Sequence, residues 1–440
     1  MRGSKIWRAI AITGLALFLA VQFVRPAISH PPVTAEVLGP SEVKAILRTS
    51  CYDCHSNENK LAWFDQIVPA YWLVASDIKE ARRHLNFSEI GNLPPGQQKN
   101  VLYEAVNQIE AGAMPLPVYT QLHRSAIVTA SQLNILKNYL RPPTLAARAS
   151  ASELSADDAQ FEAWLRGRDV PQSVAPAPNG IAFPTDYKSW KIVSSTDRFD
   201  NQSIRVILGN PAAVKAIAVN QTNPWPDGTA FAKIAWQARA DEQGKQHAGA
   251  FWQVEFMIRD RRTYAATKGW GWARWRNSEL KPYGKDAAFA NECVSCHTPL
   301  HDRDYVFTEI NPQARALNDL PANPLKWDVI TSFVDAPSGS MSTLFGNDDA
   351  VKTARSGAAG KYPAGSVLSL VSWSQREDPH WFGARVPAEV KSVEFVTLST
   401  GETCAYEEYK GSPLTRTLPD ERLAKERCAQ LLSVRAAVLP

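Results

Sequence analysis

The chain holds 440 residues, 45% of them hydrophobic, which is sufficient for several separate cores and about three globular domains. Its net charge of +4 arises from 48 basic and 44 acidic residues with no polybasic run, so no nucleic-acid partner is expected.

Arg2, Lys5 and Arg8 precede an apolar stretch from Ala9 to Val24 that closes at Arg25-Pro26. A basic flank before an apolar helix predicts a membrane helix over residues 1–30, a signal anchor that leaves the rest of the chain in the periplasm. The alternative is a cleaved signal and a soluble periplasmic protein, although Ala27-Ile28-Ser29 makes a poor cleavage site.

Residues 35–145 read as a small α-helical, cytochrome c-like domain. Ser41-Glu42-Val43-Lys44 opens a helix that runs into Cys51-Tyr52-Asp53-Cys54-His55, and Ser131-Gln132-Leu133 begins another that ends near Leu140. The Arg141-Pro142-Pro143 break leads into a linker over residues 146–181, with one short helix from Ser152 to Leu165.

From residue 182 the composition shifts to alternating apolar and aromatic residues broken by Gly and Pro, the pattern of β structure. It also repeats. Trp190-Lys191-Ile192-Val193 returns as Trp327-Asp328-Val329-Ile330, Ile207-Leu208-Gly209-Asn210 as Leu344-Phe345-Gly346-Asn347, Trp236 as Trp373, and Val254-Glu255-Phe256 as Val393-Glu394-Phe395. The offset is 137 until the last pair, where it is 139. Residues 182–315 and 322–440 are therefore expected to be tandem copies of one β-rich domain, giving an α+β multidomain chain. The first copy carries Cys293-Val294-Ser295-Cys296-His297; the second has Glu426-Arg427-Cys428 at the matching place.

Cys-x-x-Cys-His is the attachment signal of c-type haem: the thiols add across its vinyl groups and the imidazole ligates its iron. Two copies predict two covalently attached haem c groups, one on Cys51, Cys54 and His55 and one on Cys293, Cys296 and His297, with the second β copy haemless. A zinc site would need a fourth ligand near each cluster, and a redox dithiol a βαβ setting, neither of which is visible. Cys404 and Cys428 remain and are expected to pair as a disulfide in an oxidising compartment.

The sixth iron ligand decides between electron transfer and small-molecule chemistry. Met114, in the proline-bounded loop Gly112-Ala113-Met114-Pro115-Leu116-Pro117, is expected to cap the first haem, with His84 or His123 as alternatives. The second haem has no such loop and is expected to be open, Met257 being the alternative ligand. Lys233 shares a strand face with Phe231 and Ala235 and becomes Leu370 in the second copy; Arg205 becomes Ser342. Cations present only beside a haem are expected to act on its open face, the plainer alternative being water-seeking side chains or partners of haem propionates. Glu255 persists as Glu394 and reads first as scaffold.

Two resemblances attach to these residues. Residues 35–145, with the first motif, Asn86-Phe87-Ser88, Met114-Pro115-Leu116-Pro117-Val118-Tyr119 and Leu122-His123, resemble the haem-binding domain family, which implies Met114 as distal ligand. Residues 182–310 resemble the cytochrome P-460 family, relatives of cytochrome c′-beta, through Tyr187-Lys188-Ser189-Trp190, Ile204-Arg205, Asp227-Gly228-Thr229, Lys233, Trp270, and the second motif followed by Asp304-Tyr305-Val306-Phe307-Thr308. That resemblance implies a five-coordinate iron, a lysine at the position of Lys233 cross-linked to the haem, and oxidation of hydroxylamine. Relatives without the cross-link bind NO.

The expected function is oxidation of hydroxylamine or a related nitrogen compound at the second haem. Electrons would pass to the His55/Met114 haem and on to a partner cytochrome or membrane carrier. NO capture and a two-haem electron shuttle are the alternatives. The two β copies are expected to form an internal pseudo-dimer.

Overall fold

The computed structural model describes residues 2–142, 148–167, 173–310, 317, 320–358, 360–400 and 404–440. Pro143 of the expected break and the expected end of the first β copy near residue 315 lie outside the described residues. The chain forms two compact units, Met1–Arg141 and Pro142–Pro440.

The first unit is helical: α1 (Arg2–Val21), α2 (Ser41–Ser50), α3 (Tyr52–His55), α4 (Ala70–His84), α5 (Pro95–Glu110), α6 (Pro117–Leu122) and α7 (Ala130–Leu140). The expected N-terminal membrane helix is corrected here, because no helix among the described residues is long and apolar enough to cross a membrane. Arg2, Lys5 and Arg8 fall inside α1, and the charge-free remainder, Ala9–Val21, is well short of the ~20 residues a bilayer core requires. The chain that follows α1 is tied to α4 and to Val68 just ahead of it. Gln22 exchanges two hydrogen bonds with the Val68 backbone (2.9 and 3.1 Å), and Trp72 and Tyr71 donate to the carbonyls of Val24 and Pro26.

Val43, Leu47, Ile78, Phe87, Val106 and Leu136 are buried in this unit. α7 begins one residue before the expected Ser131, since Thr129 accepts from the Gln132 amide and Gln132 reaches back to the Thr129 amide, a capping box that satisfies two otherwise orphaned donors.

The second unit opens with α8 (Ala151–Leu165), inside the stretch expected to be a linker. It packs on the sheet that follows: Phe161 is buried with Ala177 and Ile181 in the main core, and Asp157 takes a two-pronged contact from Arg239 at 2.8 and 3.1 Å. Apolar residues in a Pro-rich stretch had concealed a segment whose side chains are core.

Among the described residues twelve strands follow, with four α-helices. The first six are β1 (Lys191–Arg198), β2 (Ser203–Gly209), β3 (Ala230–Ala240), β4 (Lys245–Arg259), β5 (Trp270–Arg276) and β6 (Lys281–Pro282), with α9 (Pro211–Ala218) after β2 and α10 (Ala290–His297) after β6. The second six are β7 (Asp328–Asp335), β8 (Ser340–Gly346), β9 (Val367–Glu377), β10 (Ala384–Leu398), β11 (Cys404–Lys410) and β12 (Thr415–Thr417), with α11 (Asp348–Arg355) and α12 (Glu421–Leu432) in the same places.

All pairings between these strands are antiparallel. The order β1-β2-β3-β4-β7-β8-β9-β10 returns to β1, so eight strands close a barrel. Two long strands make the closure. β4 pairs with β7 through its first residues and with β5 through its last, while β10 pairs with β1 and then with β11. Closure pairs both edges of the eight-stranded ring, leaving β6 and β12 as the outer strands of its two branches.

Strand alternation then sorts the side chains. Ile204, Ile234, Trp236, Val254, Trp373 and Val393 join one core shared by both halves. The opposite face of β2–β5 carries Ile207, Phe231, Met257 and Trp272 in a second cluster with Cys293, beneath α10. β9–β11 present Leu370, Val396 and Cys404 to a third cluster containing Cys428 and Leu431 of α12. Gly209 and Gly346 let α9 and α11 approach: a Cβ on either would lie 3.0 and 2.9 Å from the Cβ of Ala213 and Ala350.

Candidate functional site

Register places four residues in a row across the face beneath α10. Ile207 pairs with Lys233, Lys233 with Glu255, and Glu255 with Arg274. Arg205 lies two residues from Ile207 on the same face. A cavity of about 210 Å³ opens over this row, and Cys293, Cys296 and His297 line its other wall.

The charges in this row are tightly coupled. Lys233 is ion-paired with Glu255, and Arg274 meets the same carboxylate at 2.9 Å. Burial alone would raise the Glu255 pKa, but Lys233, Arg274 and Arg205 overturn that and hold it well below the usual carboxylate range. Burial pulls Lys233 down from the ordinary lysine value against the opposing pull of Glu255. Arg205 is only 6% exposed; burial, with Arg198 nearby, pulls its guanidinium down to about 9. Its Nε donates to Ser203 Oγ at 3.1 Å, and among the described residues its terminal nitrogens meet no acceptor.

His297 is prepared as a ligand. Burial lowers its pKa to about 4, leaving a neutral ring, and Nδ1–H donates to the Tyr305 carbonyl at 2.6 Å, which leaves Nε2 as the lone-pair nitrogen. The carbonyl is positioned by two consecutive non-glycine residues with positive φ, Asp304 at 51° and Tyr305 at 67°. Such backbone is costly and persists only when surroundings over-determine it. Here Asp304 pairs with the buried Arg259 at 3.0 Å, accepts the Trp225 amide, and receives the Trp270 indole N–H on its carbonyl.

The first unit repeats this logic. His55 Nδ1–H donates to the Leu85 carbonyl at 3.0 Å, and the Phe87 amide donates to the His55 carbonyl at 2.7 Å. Asn86 and Ser88 brace the loop after the motif through Asn57, at 3.0 and 2.9 Å. His123 uses both ring nitrogens, one on the Tyr119 carbonyl at 3.1 Å and one on Asp65 at 2.9 Å. His84 lies exposed with Nε2 on Glu80 at 3.0 Å. Met114 is 37% exposed, and among the described residues its thioether has no hydrogen-bond partner.

The residues present fit haem. In both places two unbridged cysteines stand beside a histidine with Nε2 free, and burial pushes the thiols of Cys51 and Cys54 up to about 12 and that of Cys293 to about 11. At the cavity, Trp272 Nε1 is buried without an acceptor, which a bound acidic group would supply.

The cavity also holds residues that the sequence analysis did not single out. Arg274 lies in the alternating run Trp270-Gly271-Trp272-Ala273-Arg274-Trp275, where its parity with Trp272 was the available signal. Arg198, Glu309, Asp378 and Trp381 line the rim, the last two from the second set of strands. Met257 lies in the wall, 8% exposed.

The corresponding place in the second half is filled. Glu394 sits where Glu255 does, but Arg427 of α12 grips it at 2.8 Å through both Nε and Nη2, and Tyr406 donates to it at 2.8 Å. A disulfide joins Cys404 of β11 to Cys428 of α12.

In comparisons with known proteins, residues 16–142 match the family described as haem-binding domain, and residues 184–308 match the family cytochrome P460. A search of curated proteins finds no match.

Proposed function

Given that the chain joins a haem-binding domain (16–142) to a cytochrome P460 domain (184–308), we propose that it is a periplasmic two-haem c-type cytochrome. It would oxidise hydroxylamine or a related small nitrogen compound in the cavity of the second unit. The observation that carries this reading is the cavity itself, which sets His297, Cys293 and Cys296 against Lys233, Glu255 and Arg205.

Haem held there supplies a redox-active iron, its thioether links made by Cys293 and Cys296 and its proximal nitrogen by His297. The chain's residues do the remainder. The Tyr305 carbonyl orients the His297 ring. Lys233, ion-paired with the Glu255 carboxylate, holds a proton next to the bound substrate. Arg205, unmatched by any carboxylate within ion-pair distance among the described residues, offers positive charge to an anionic group such as a propionate or an oxidised product. The first unit, with His55 and Met114, serves as electron carrier to a partner cytochrome or membrane carrier. The repeated elements and shared core support an internal pseudo-dimer from a duplicated half, of which only the first kept its haem.

A second reading is favoured by one contact. Lys233 is engaged by Glu255, and a lysine so held need not bond covalently to haem, which would leave an open iron suited to NO binding. Absorption of the dithionite-reduced full chain, made with its attachment machinery, separates the two. A strongly red-shifted Soret component beside a normal c-type band, with hydroxylamine turnover lost in His297→Ala, is expected. Two ordinary bands and no turnover would move the assignment to NO binding.

A further inference from the structure

The two halves of the barrel differ in the hairpin that joins their third and fourth strands. Residues 241–244 connect β3 to β4, while residues 378–383 connect β9 to β10; the two added residues account for the shift in offset from 137 to 139. The longer hairpin serves the other half, since Asp378 and Trp381 line the cavity against Lys233 and His297.

Trp381 is fixed there from three sides. Its indole N–H donates to Asp200 at 2.9 Å, the Arg198 guanidinium lies 4.5 Å from its ring centre, and Phe307 meets it edge-on at 5.7 Å. Phe307 in turn meets the His297 ring at 4.8 Å. At the hairpin's base, Arg376 and His380 reach Glu309 at 2.7 and 3.2 Å.

Asp378 differs from the other carboxylates of the cavity. Glu255 is engaged by Lys233 and Arg274, Glu309 by Arg303, Arg376 and His380, and Glu292 is exposed and accepts the Tyr283 hydroxyl. Asp378 is half-buried, accepts the His380 amide on Oδ1 at 2.8 Å, and among the described residues has no cation within ion-pair distance and no donor on Oδ2. A cavity-facing carboxylate with a spare oxygen binds a donor that arrives with the ligand.

We propose that the half without a Cys-x-x-Cys-His motif supplies the ligand-selecting wall of the haem cavity. Asp378 accepts a hydrogen bond from a small ligand bearing N–H or O–H, and Trp381 limits the size of what enters. The proposal deepens the reading above and rests on it for the presence of a ligand in this cavity.

The test is anaerobic optical titration of the full haem-loaded chain, without an electron acceptor, using hydroxylamine as the donor ligand, NO as the non-donor and imidazole as the bulky one. Asp378→Asn and Asp378→Ala should each weaken hydroxylamine about tenfold and leave NO within about twofold. Trp381→Ala should strengthen imidazole about tenfold with NO unchanged. Unchanged hydroxylamine affinity, or equal losses for hydroxylamine and NO, overturns the proposal. A wild-type chain that shows this selectivity but does not oxidise hydroxylamine defeats the enzymatic reading and leaves the wall standing. One that takes NO but not hydroxylamine defeats both.

Discussion

The first half of the barrel carries the row Ile207, Lys233, Glu255, Arg274; the second carries Leu344, Leu370, Glu394, Glu408 at the same registers. One glutamate is present in both, half-buried in the first and buried in the second and ion-paired in both, yet its partners differ. In the first half they are strand cations beneath an open cavity; in the second the main partner is Arg427, from the helix that stands where α10 does. Where the motif is absent, an arginine side chain and a disulfide link that helix to the sheet. The comparison separates what the fold requires, a neutralised glutamate, from what the cavity requires, Lys233 and Arg205.

The largest expected effect comes from deleting each glutamate's charge. Removing one partner of a buried ion pair strands the other, at a cost of about 3–5 kcal/mol. Glu394→Gln leaves Arg427 with no other carboxylate within ion-pair distance among the described residues, so the second half should lose on the order of 3 kcal/mol. In the haem-free chain, Glu255→Gln leaves Lys233, 32% exposed at the cavity, free to seek water, and should cost about half as much. Local opening by hydrogen exchange in β9–β11 against β3–β5 reads both. Equal losses would mean that the cavity gives Lys233 no relief.

A smaller effect distinguishes the two seams. Asp197 of β1 lies at the β1–β10 seam, whereas its counterpart at the β4–β7 seam is Val334. Burial raises Asp197 to about 6, against the partial opposing pull of Arg385. A carboxyl raised in the folded state binds a proton that the unfolded chain has released. Its contribution is therefore fully present below pH ~4 and lost as pH rises through about 6. At ~1.4 kcal/mol per unit, roughly 3 kcal/mol should disappear over that window. Asp197→Asn should flatten the slope, read as Tm against pH for the second unit's transition; an unchanged slope would place the titration elsewhere.

Much of this comparison was legible in the sequence. The two Cys-x-x-Cys-His motifs and the recurring offset of 137 are local patterns, and Lys233 and Arg205 stood out because a charge on an otherwise apolar strand face is rare and each matches an uncharged residue in the second half. Closure was not legible: nothing in the periodicity of β4 or β10 says that the first residues of each pair with the other half, because strand pairing is a long-range choice. The N-terminal helix misled because an apolar run with a basic flank looks alike whether or not it is long enough to span. The two-residue change of offset did mark an insertion, but only three dimensions show that the enlarged hairpin serves the opposite half.

The smallest expected effect tests whether the two halves are equivalent away from the cavity. Asn210 caps α9 and also ties two loops: its Oδ1 accepts the amides of Ala213 and Ala230 at 2.9 and 3.0 Å, and its Nδ2 donates to the Gly228 carbonyl at 2.8 Å. Asn347 does the same for α11 with Ala350, Val367 and Gly365 at 3.1, 3.1 and 2.8 Å. Replacing an asparagine cap by alanine costs about 1 kcal/mol, and the additional bonds move both sites toward ~2. Asn210→Ala and Asn347→Ala should therefore match within a few tenths of a kcal/mol in chemical denaturation, since neither side chain lines the cavity. A clearly larger loss at Asn210 would mean that α9 and the loop it ties are coupled to the haem site, and that the functional difference between the halves reaches beyond the row beneath α10.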